Sequence, residues 1–213
     1  MHRYILDTSV FTNPETYRQF GADTRAAVAG FLRAARRTLA RFYMPTSVWR
    51  ELTEMKDLGD LAGRFQAVVR IRSPRRYELT VPAEILYQFI NEMRLRIDRG
   101  LRVAEEYARL GAEESSDPGA VINRLRERYR DTLRQGIIDS HEDADVLLLA
   151  LELDGTLVTA DQGLRRWADR IGVEWASAEH FGAILAALVE DQGPAQELVQ
   201  QPVDVAGDPL EGQ

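Results

Sequence analysis

No cysteine occurs in the 213 residues, which excludes a disulfide framework, thiol catalysis and zinc sites built on thiolates. Histidine is confined to three positions and has no metal-ligand spacing. Lysine is nearly missing too: of 27 basic side chains only Lys56 is lysine, and the rest are arginine. Arginine's planar fork pairs bidentately with phosphate and stacks on bases, which suits RNA; a GC-rich genome, whose codons favour arginine, accounts for the same bias. No run is long and apolar enough to cross a membrane, and Met1-His2-Arg3-Tyr4 leads into a short apolar stretch without a cleavage-site pattern, so a cytoplasmic protein with no membrane association is expected. A positive balance is also lacking. The net charge is −7, the opposite of a nucleic-acid binder's usual footprint.

That charge is unevenly spread. From Glu190 onward there are six acids and no basic residue, so residues 1–189 carry 27 basic against 28 acidic side chains. No acid occurs from Thr24 to Arg50, a stretch that holds Arg25, Arg33, Arg36, Arg37, Arg41 and Arg50. The remaining composition is ordinary, 45% hydrophobic and 29% charged, enough for one domain with an elaboration.

Short strands are expected at Arg3–Leu6, Phe42–Met44, Gly155–Thr159 and Val173–Ala176, with an ambiguous apolar run at Val68–Ile71. Helical spacing covers about Asp23–Arg41, with Val28, Phe31, Leu32, Ala35 and Leu39 on one face, and a further helix begins near Ser47 carrying Val48, Trp49, Leu52 and Met55. Helices are also expected at His141–Leu153, Gly163–Ile171 and His180–Val189. Alternating β and α elements imply an α/β fold with a parallel sheet covered by helices on both faces. Between them lies a different pattern: a long helix from Ala83 to about Leu110, a polar turn in which Asp117 suits an N-cap and Pro118 a first helical position, and a helix over Val121–Leu133. Two helices joined by so short a turn make an antiparallel hairpin. Domain bounds follow: 1–82 with 137–189 as the α/β part, 83–136 as an inserted hairpin arm, and 190–213 as a disordered acidic tail. The arm balances ten arginines against eight acids between Arg94 and Gly136, which fits a solvated arm, an oligomerisation arm or an RNA clamp. On its second helix Arg124, Arg126, Arg128, Arg130 and Arg134 recur as a stripe able to grip phosphates, interrupted by Glu127 and Asp131.

The chemistry concentrates in carboxylates. Asp7 directly follows the first strand, at the sheet edge where open parallel sheets bind ligands, although an Asp there also opens turns. Asp161 stands in the same relation to Thr156-Leu157-Val158-Thr159. The densest group is Asp139-Ser140-His141-Glu142-Asp143-Ala144-Asp145, which opens an apolar helix. Ser140 with Asp143 resembles a capping box, and early acids favour the helix dipole, yet capping needs one or two acids and here there are four within seven residues. Such crowding is relieved by a hard divalent cation, and a donor set of oxygens selects Mg²⁺ or Mn²⁺. Thr8, Ser9 and Thr159 either support bound water or close turns; His141, alone in a first helical turn, reads as solvated; Trp49, Trp167 and Trp175 read as core residues.

Leu6-Asp7-Thr8-Ser9, Trp49-Arg50-Glu51-Leu52, Asp145 before Val146-Leu147-Leu148-Leu149-Ala150, and Thr159-Ala160-Asp161 resemble the four acidic motifs of PIN-domain nucleases. With Asp139, Asp143 and the long hairpin, the pattern is similar to the small prokaryotic protein-only ribonuclease P (HARP) family, also described as RNA ligase partner proteins, over roughly residues 1–190. The resemblance implies a PIN-like sheet, an endoribonuclease that removes the 5′ leader of precursor tRNA, and a homo-oligomer of dimers, a dodecamer, built through the arms. It implies Asp7, Asp143, Asp145, Asp161 and Asp139 as metal ligands, with Glu51 as a catalytic acid that a solvent-facing helix glutamate would equally resemble. No organic cofactor is expected. The competing readings are a toxin-type PIN endoribonuclease acting on other RNA, which lacks so long an arm, and a non-catalytic PIN-fold RNA-binding protein, which loses acids. An aspartyl-phosphate phosphatase is disfavoured, because Ser9 stands where its second Asp belongs.

Overall fold

The computed structural model describes residues 1–113, 117–134, 138 and 140–191. Five parallel strands form one sheet: β1 (Arg3–Leu6), β2 (Arg41–Met44), β3 (Val69–Ile71), β4 (Thr156–Thr159) and β5 (Trp175–Ser177), in spatial order β3-β2-β1-β4-β5. The chain therefore runs outward from β1 to β3 and then returns to β1's other flank. That reversal between β1 and β4 is a topological switch point, where the crossovers diverge and leave a crevice at the carboxyl ends of the strands. Leu6 is in register with Val158, and the Asp7 N–H donates to the Val158 carbonyl at 3.2 Å. The residues after the two strands are thus brought side by side.

The helices are α1 (Ser9–Thr12), α2 (Pro14–Tyr17), α3 (Thr24–Ala35), α4 (Thr46–Met55), α5 (Leu61–Gln66), α6 (Ala83–Gly111), α7 (Pro118–Arg134), α8 (His141–Leu153), α9 (Gln162–Ile171) and α10 (Phe181–Asp191). Their starts are set by side chains that replace missing backbone partners: Asp23 accepts from Ala26 N, Ser140 from Asp143 N and Asp161 from Leu164 N. Two of them end on left-handed residues, Asp154 (φ 46°) and Gly172 (φ 73°), the conformation that closes a last turn. The core lies between sheet and helices and is rich in phenylalanine; Phe31 meets Phe11, Phe42 and Phe181 at centroid distances of 5.3, 5.4 and 6.2 Å.

Several expectations need correction. The first long helix stops at Ala35 rather than near Arg41: the Arg37 and Thr38 N–H groups turn to the carbonyls three residues back, Ala34 and Ala35, and the Thr38 hydroxyl also donates to the Ala35 carbonyl at 2.9 Å. Leu39 therefore lies outside the helix and is exposed, and Met55, at the last position of α4, is exposed as well. The ambiguous run Val68–Ile71 supplies the edge strand β3. Trp167 is buried and Trp49 stacks on Phe65 at 4.9 Å, but Trp175 is half exposed, lies under the Arg165 guanidinium and donates to Asp169. The short α1, α2 and α5 carry no periodic signal long enough to have been read.

Helices α6 and α7 pack on one another. A side chain at Gly111 would face Val121 and one at Gly100 would strike Tyr129, so the two run antiparallel. Beyond α7, α6 reaches α9, where Arg170 pairs with buried Glu92 at 3.1 Å. Among the described residues no helix is long and apolar enough to cross a membrane.

Candidate active site

Asp7 leaves the carboxyl end of β1 with its side chain buried. Its Oδ2 accepts from the Ser9 hydroxyl at 2.5 Å and from the Thr159 hydroxyl at 2.8 Å, and Thr8 lies 3.4 Å from Oδ1. Thr159 in turn accepts from the Asp161 N–H at 3.0 Å, so one hydroxyl joins the ends of β1 and β4. Ser9 serves the same seam by accepting from the Ala160 N–H at 2.9 Å. These hydroxyls do more than close turns: they give a buried carboxyl the hydrogen-bond partners that it would otherwise lack.

Glu51, on the second turn of α4, faces this group. Burial pushes its carboxyl above the usual glutamate range, against a hydrogen bond from Thr8; the charges of Asp7, Glu142 and Glu54 push it further up. Glu51 is half-buried rather than on an open solvent face. Glu142, one of the four acids at the head of α8 though outside the four motifs, contributes to the same negative field.

Asp145 lies in the second turn of α8 and is only 2% exposed. Ser47 of α4 donates to its Oδ2 at 2.6 Å. Arg76, from the segment between β3 and α6, clamps it with a fork: Nη2 lies 2.7 Å from Oδ1 and 2.6 Å from Oδ2, and Nε 3.1 Å from Oδ1. Neither Ser47 nor Arg76 carries a motif or periodic signal, and they lie 98 and 69 residues away in sequence. Only the fold reveals them.

Asp161 is exposed, and its Oδ1 caps α9 through Leu164 N at 2.8 Å. Asp143 is half-buried in the first turn of α8, with its N–H on Ser140. His141 is exposed, as a lone first-turn histidine should be. Asp139 and the side chain of Arg134 lie outside the described residues. Arg124, Arg126, Arg128 and Arg130 are all exposed on α7, and among the described residues no carboxylate pairs with any of them; Glu127 and Asp131 do not neutralise the stripe.

Among the described residues no three acids converge into a ready-made metal cage. The donor chemistry nevertheless fits a hard cation. The facing groups are oxygens, the Asp7 and Asp145 carboxyls are buried, the charges of Asp7 and Glu142 act against that of Glu51, and Asp145 already binds a positive group in Arg76. These features call for positive charge at this edge.

Comparison with known proteins bears on this geometry. A family model described as PINc domain ribonuclease matches residues 3–190. A protein of Nitrosococcus oceani named RNA-free ribonuclease P is 57% identical over 196 residues, covering 91% of this chain and 99% of the relative. Proteins of the same name from Halorhodospira halophila and Thermococcus onnurineus are 48% and 39% identical, over 90% and 92% of this chain and 93% and 100% of their own lengths.

Proposed function

The chain belongs to the PINc-domain ribonucleases, within the group named RNA-free ribonuclease P, and from that premise we propose that it hydrolyses the phosphodiester bond joining the 5′ leader to precursor tRNA, in the cytoplasm and without an RNA subunit. The observation that carries the reading is the pair of buried carboxylates, Asp7 and Asp145, at the carboxyl edge of the sheet, each already supplied with hydroxyl donors.

PIN nuclease domains generally depend on divalent metal, and Mg²⁺ or Mn²⁺ suits these oxygen donors. Asp7, Asp145, Asp143, Asp161 and Asp139 are the residues proposed to hold it, with Glu51 beside them. Such an ion supplies an activated water at neutral pH and stabilises developing charge on the leaving oxygen. The protein's own part is placement. Ser9 and Thr159 fix the Asp7 carboxylate and Ser47 fixes that of Asp145, so these anions are oriented before substrate arrives. Glu51, whose carboxyl is held above its usual range, is suited to take a proton from water at this edge. The exposed Arg124, Arg126, Arg128 and Arg130 on α7 support a phosphate grip on the tRNA body, recognised through its A-form shape.

Residues 83–136 are proposed to act as a separate arm that binds further copies of the chain. Support comes from α6, where Leu86, Ile90, Met93, Ile97 and Leu101 follow helical spacing and are 38–65% exposed. A homo-oligomer of dimers, closing as a dodecamer, covers such a stripe.

The test uses 5′-labelled precursor tRNA with Mg²⁺ or Mn²⁺. The wild-type chain releases an intact leader and a chelator stops it; Asp7→Ala or Asp145→Ala lowers the rate on the order of a thousandfold, the loss expected when several kcal/mol of charge stabilisation disappear. Undiminished cleavage by both variants overturns the site assignment.

A further inference from the structure

Beside the acidic edge lies an open cleft of about 560 Å³, lined among others by Thr46, Ser47, Arg50, Arg75, Arg76 and Asp145. Its wall is the segment Ser73-Pro74-Arg75-Arg76-Tyr77-Glu78, between β3 and α6. Two neighbouring arginines on that wall behave differently. Arg75 is tied down: its backbone N–H and its Nε both donate to Glu152, at 2.7 and 3.0 Å, and Arg72 joins the same carboxylate. The Glu152 side chain is only 5% exposed, so it is a rivet for the base of the segment. The Arg76 side chain, by contrast, is 54% exposed and its only polar side-chain contacts among the described residues are with Asp145.

Asp145 has both oxygens engaged by that guanidinium. With the Ser47 hydroxyl these contacts fill the roughly four lone-pair positions of the carboxylate. A cation can therefore bind it only by displacing one of these donors, and the half-exposed guanidinium is the one with open space to move into. A buried carboxylate stripped of its counter-ion is costly, so one positive group must replace the other. The released guanidinium then remains on the wall of the cleft, tethered by a segment that Glu152 keeps in place, with a donor fork that matches phosphate as well as it matches carboxylate.

We propose that Arg76 is an exchangeable counter-ion: it occupies Asp145 in the cation-free protein and, when a divalent cation takes that carboxylate, turns into the cleft to bind a phosphate of the RNA next to the cleaved bond. The proposal rests on Asp145 being a metal ligand and on RNA being the substrate. Movement of one half-exposed side chain is all it requires. Loading of the site and grip on the backbone are thereby coupled, since the fork is free for RNA only after the cation is in.

The experiment compares full-length wild type, Arg76→Ala and Arg76→Lys. Mn²⁺ binding without RNA is measured by titration calorimetry; with its competitor gone, Arg76→Ala binds Mn²⁺ about tenfold more tightly, the equivalent of one charge-assisted hydrogen bond. At saturating Mn²⁺ the same variant shows kcat/KM for precursor tRNA lowered about tenfold, and the lysine variant recovers part of both effects because it keeps charge but not the fork. Thermal melts in Mn²⁺ establish that each variant is folded. Equal Mn²⁺ affinity in wild type and Arg76→Ala overturns the exchange, and wild-type kcat/KM in Arg76→Ala overturns the phosphate role. If the wild type releases no leader, the substrate reading falls, and the exchange is decided by the Mn²⁺ titration alone.

Discussion

Helices α8 and α6 put opposite uses of apolar residues in one chain. Thirteen-residue α8 buries Val146, Leu147, Leu149 and Ala150, and with them Asp145. The 29 residues of α6 bury only Glu92, Gly100 and Val103, while Leu86, Ile90, Ile97 and Leu101 face outward. The first helix is complete within its own chain, and its packing lets a charged group be held where water is excluded. The second has apolar surface that one chain leaves uncovered, and is tied to the nuclease body through few contacts such as Glu92 with Arg170. A rigid edge suits chemistry, whereas an incomplete face suits association.

The largest effect expected from breaking this contrast lies on the arm. Ile90→Asp combined with Ile97→Asp places two charges in the exposed stripe, where each apolar anchor lost from an interface costs about 2 kcal/mol or more. Light scattering should report the mass of a single chain, while the melting temperature of that chain stays close to the wild-type value. A wild type that is already monomeric at micromolar concentration removes the basis for the contrast.

An intermediate effect tests the edge through its rivet. Burial pushes Glu152 upward, but the Arg75 N–H and side chain together with Arg72 outweigh it and hold the carboxyl below its usual range. A depressed native value means that the stabilisation is present above the ordinary glutamate range and drains away as pH falls through the lower native value. Glu152→Gln should therefore cost about 2 kcal/mol at neutral pH in urea unfolding, and the difference between the two proteins should close only in acid. A gap that is constant with pH would mean that shape, rather than charge, is what Glu152 contributes.

The two regions were also unequally legible in sequence. At the edge, Asp7 is visible because it directly follows a short apolar strand and Asp161 because it follows another after Ala160, and the Ser140 cap because its partner sits three residues on. Those are local signals. Ser47 and Arg76 were not visible, since their meaning depends on Asp145, distant in the chain, and a lone serine or arginine in a polar segment has no period to betray it. The end of α3 is illegible for a related reason: helical spacing continues to Leu39, but the last N–H groups tighten onto the carbonyls three residues back and the Thr38 hydroxyl shares one of them. On the arm both helices were evident from spacing, with Asp117 and Pro118 marking the second start. Which side of α6 would remain uncovered was not, because periodicity records an apolar face without saying what meets it.

The smallest effect falls on Glu51 and has an unusual sign. Its carboxyl is raised, first by burial and then by the charges of Asp7, Glu142 and Glu54, so the folded chain holds a proton there more firmly than the unfolded one. Stability from such a group is fully present below the ordinary glutamate range and is lost as pH climbs through the raised native value. At neutral pH, in chelator, ionised Glu51 is therefore a burden, and Glu51→Gln should raise the unfolding midpoint while lowering the cleavage rate. Solvent screens this site, so the gain is under about 1 kcal/mol, shrinking in acid and again when Mn²⁺ is added to offset the wild-type charge. A helix glutamate that merely faced water would show neither the gain nor its pH dependence, and one that stabilised α4 would show a loss. Opposite changes in stability and activity from one neutralised carboxylate are what distinguish an acid retained for chemistry from one retained for the fold.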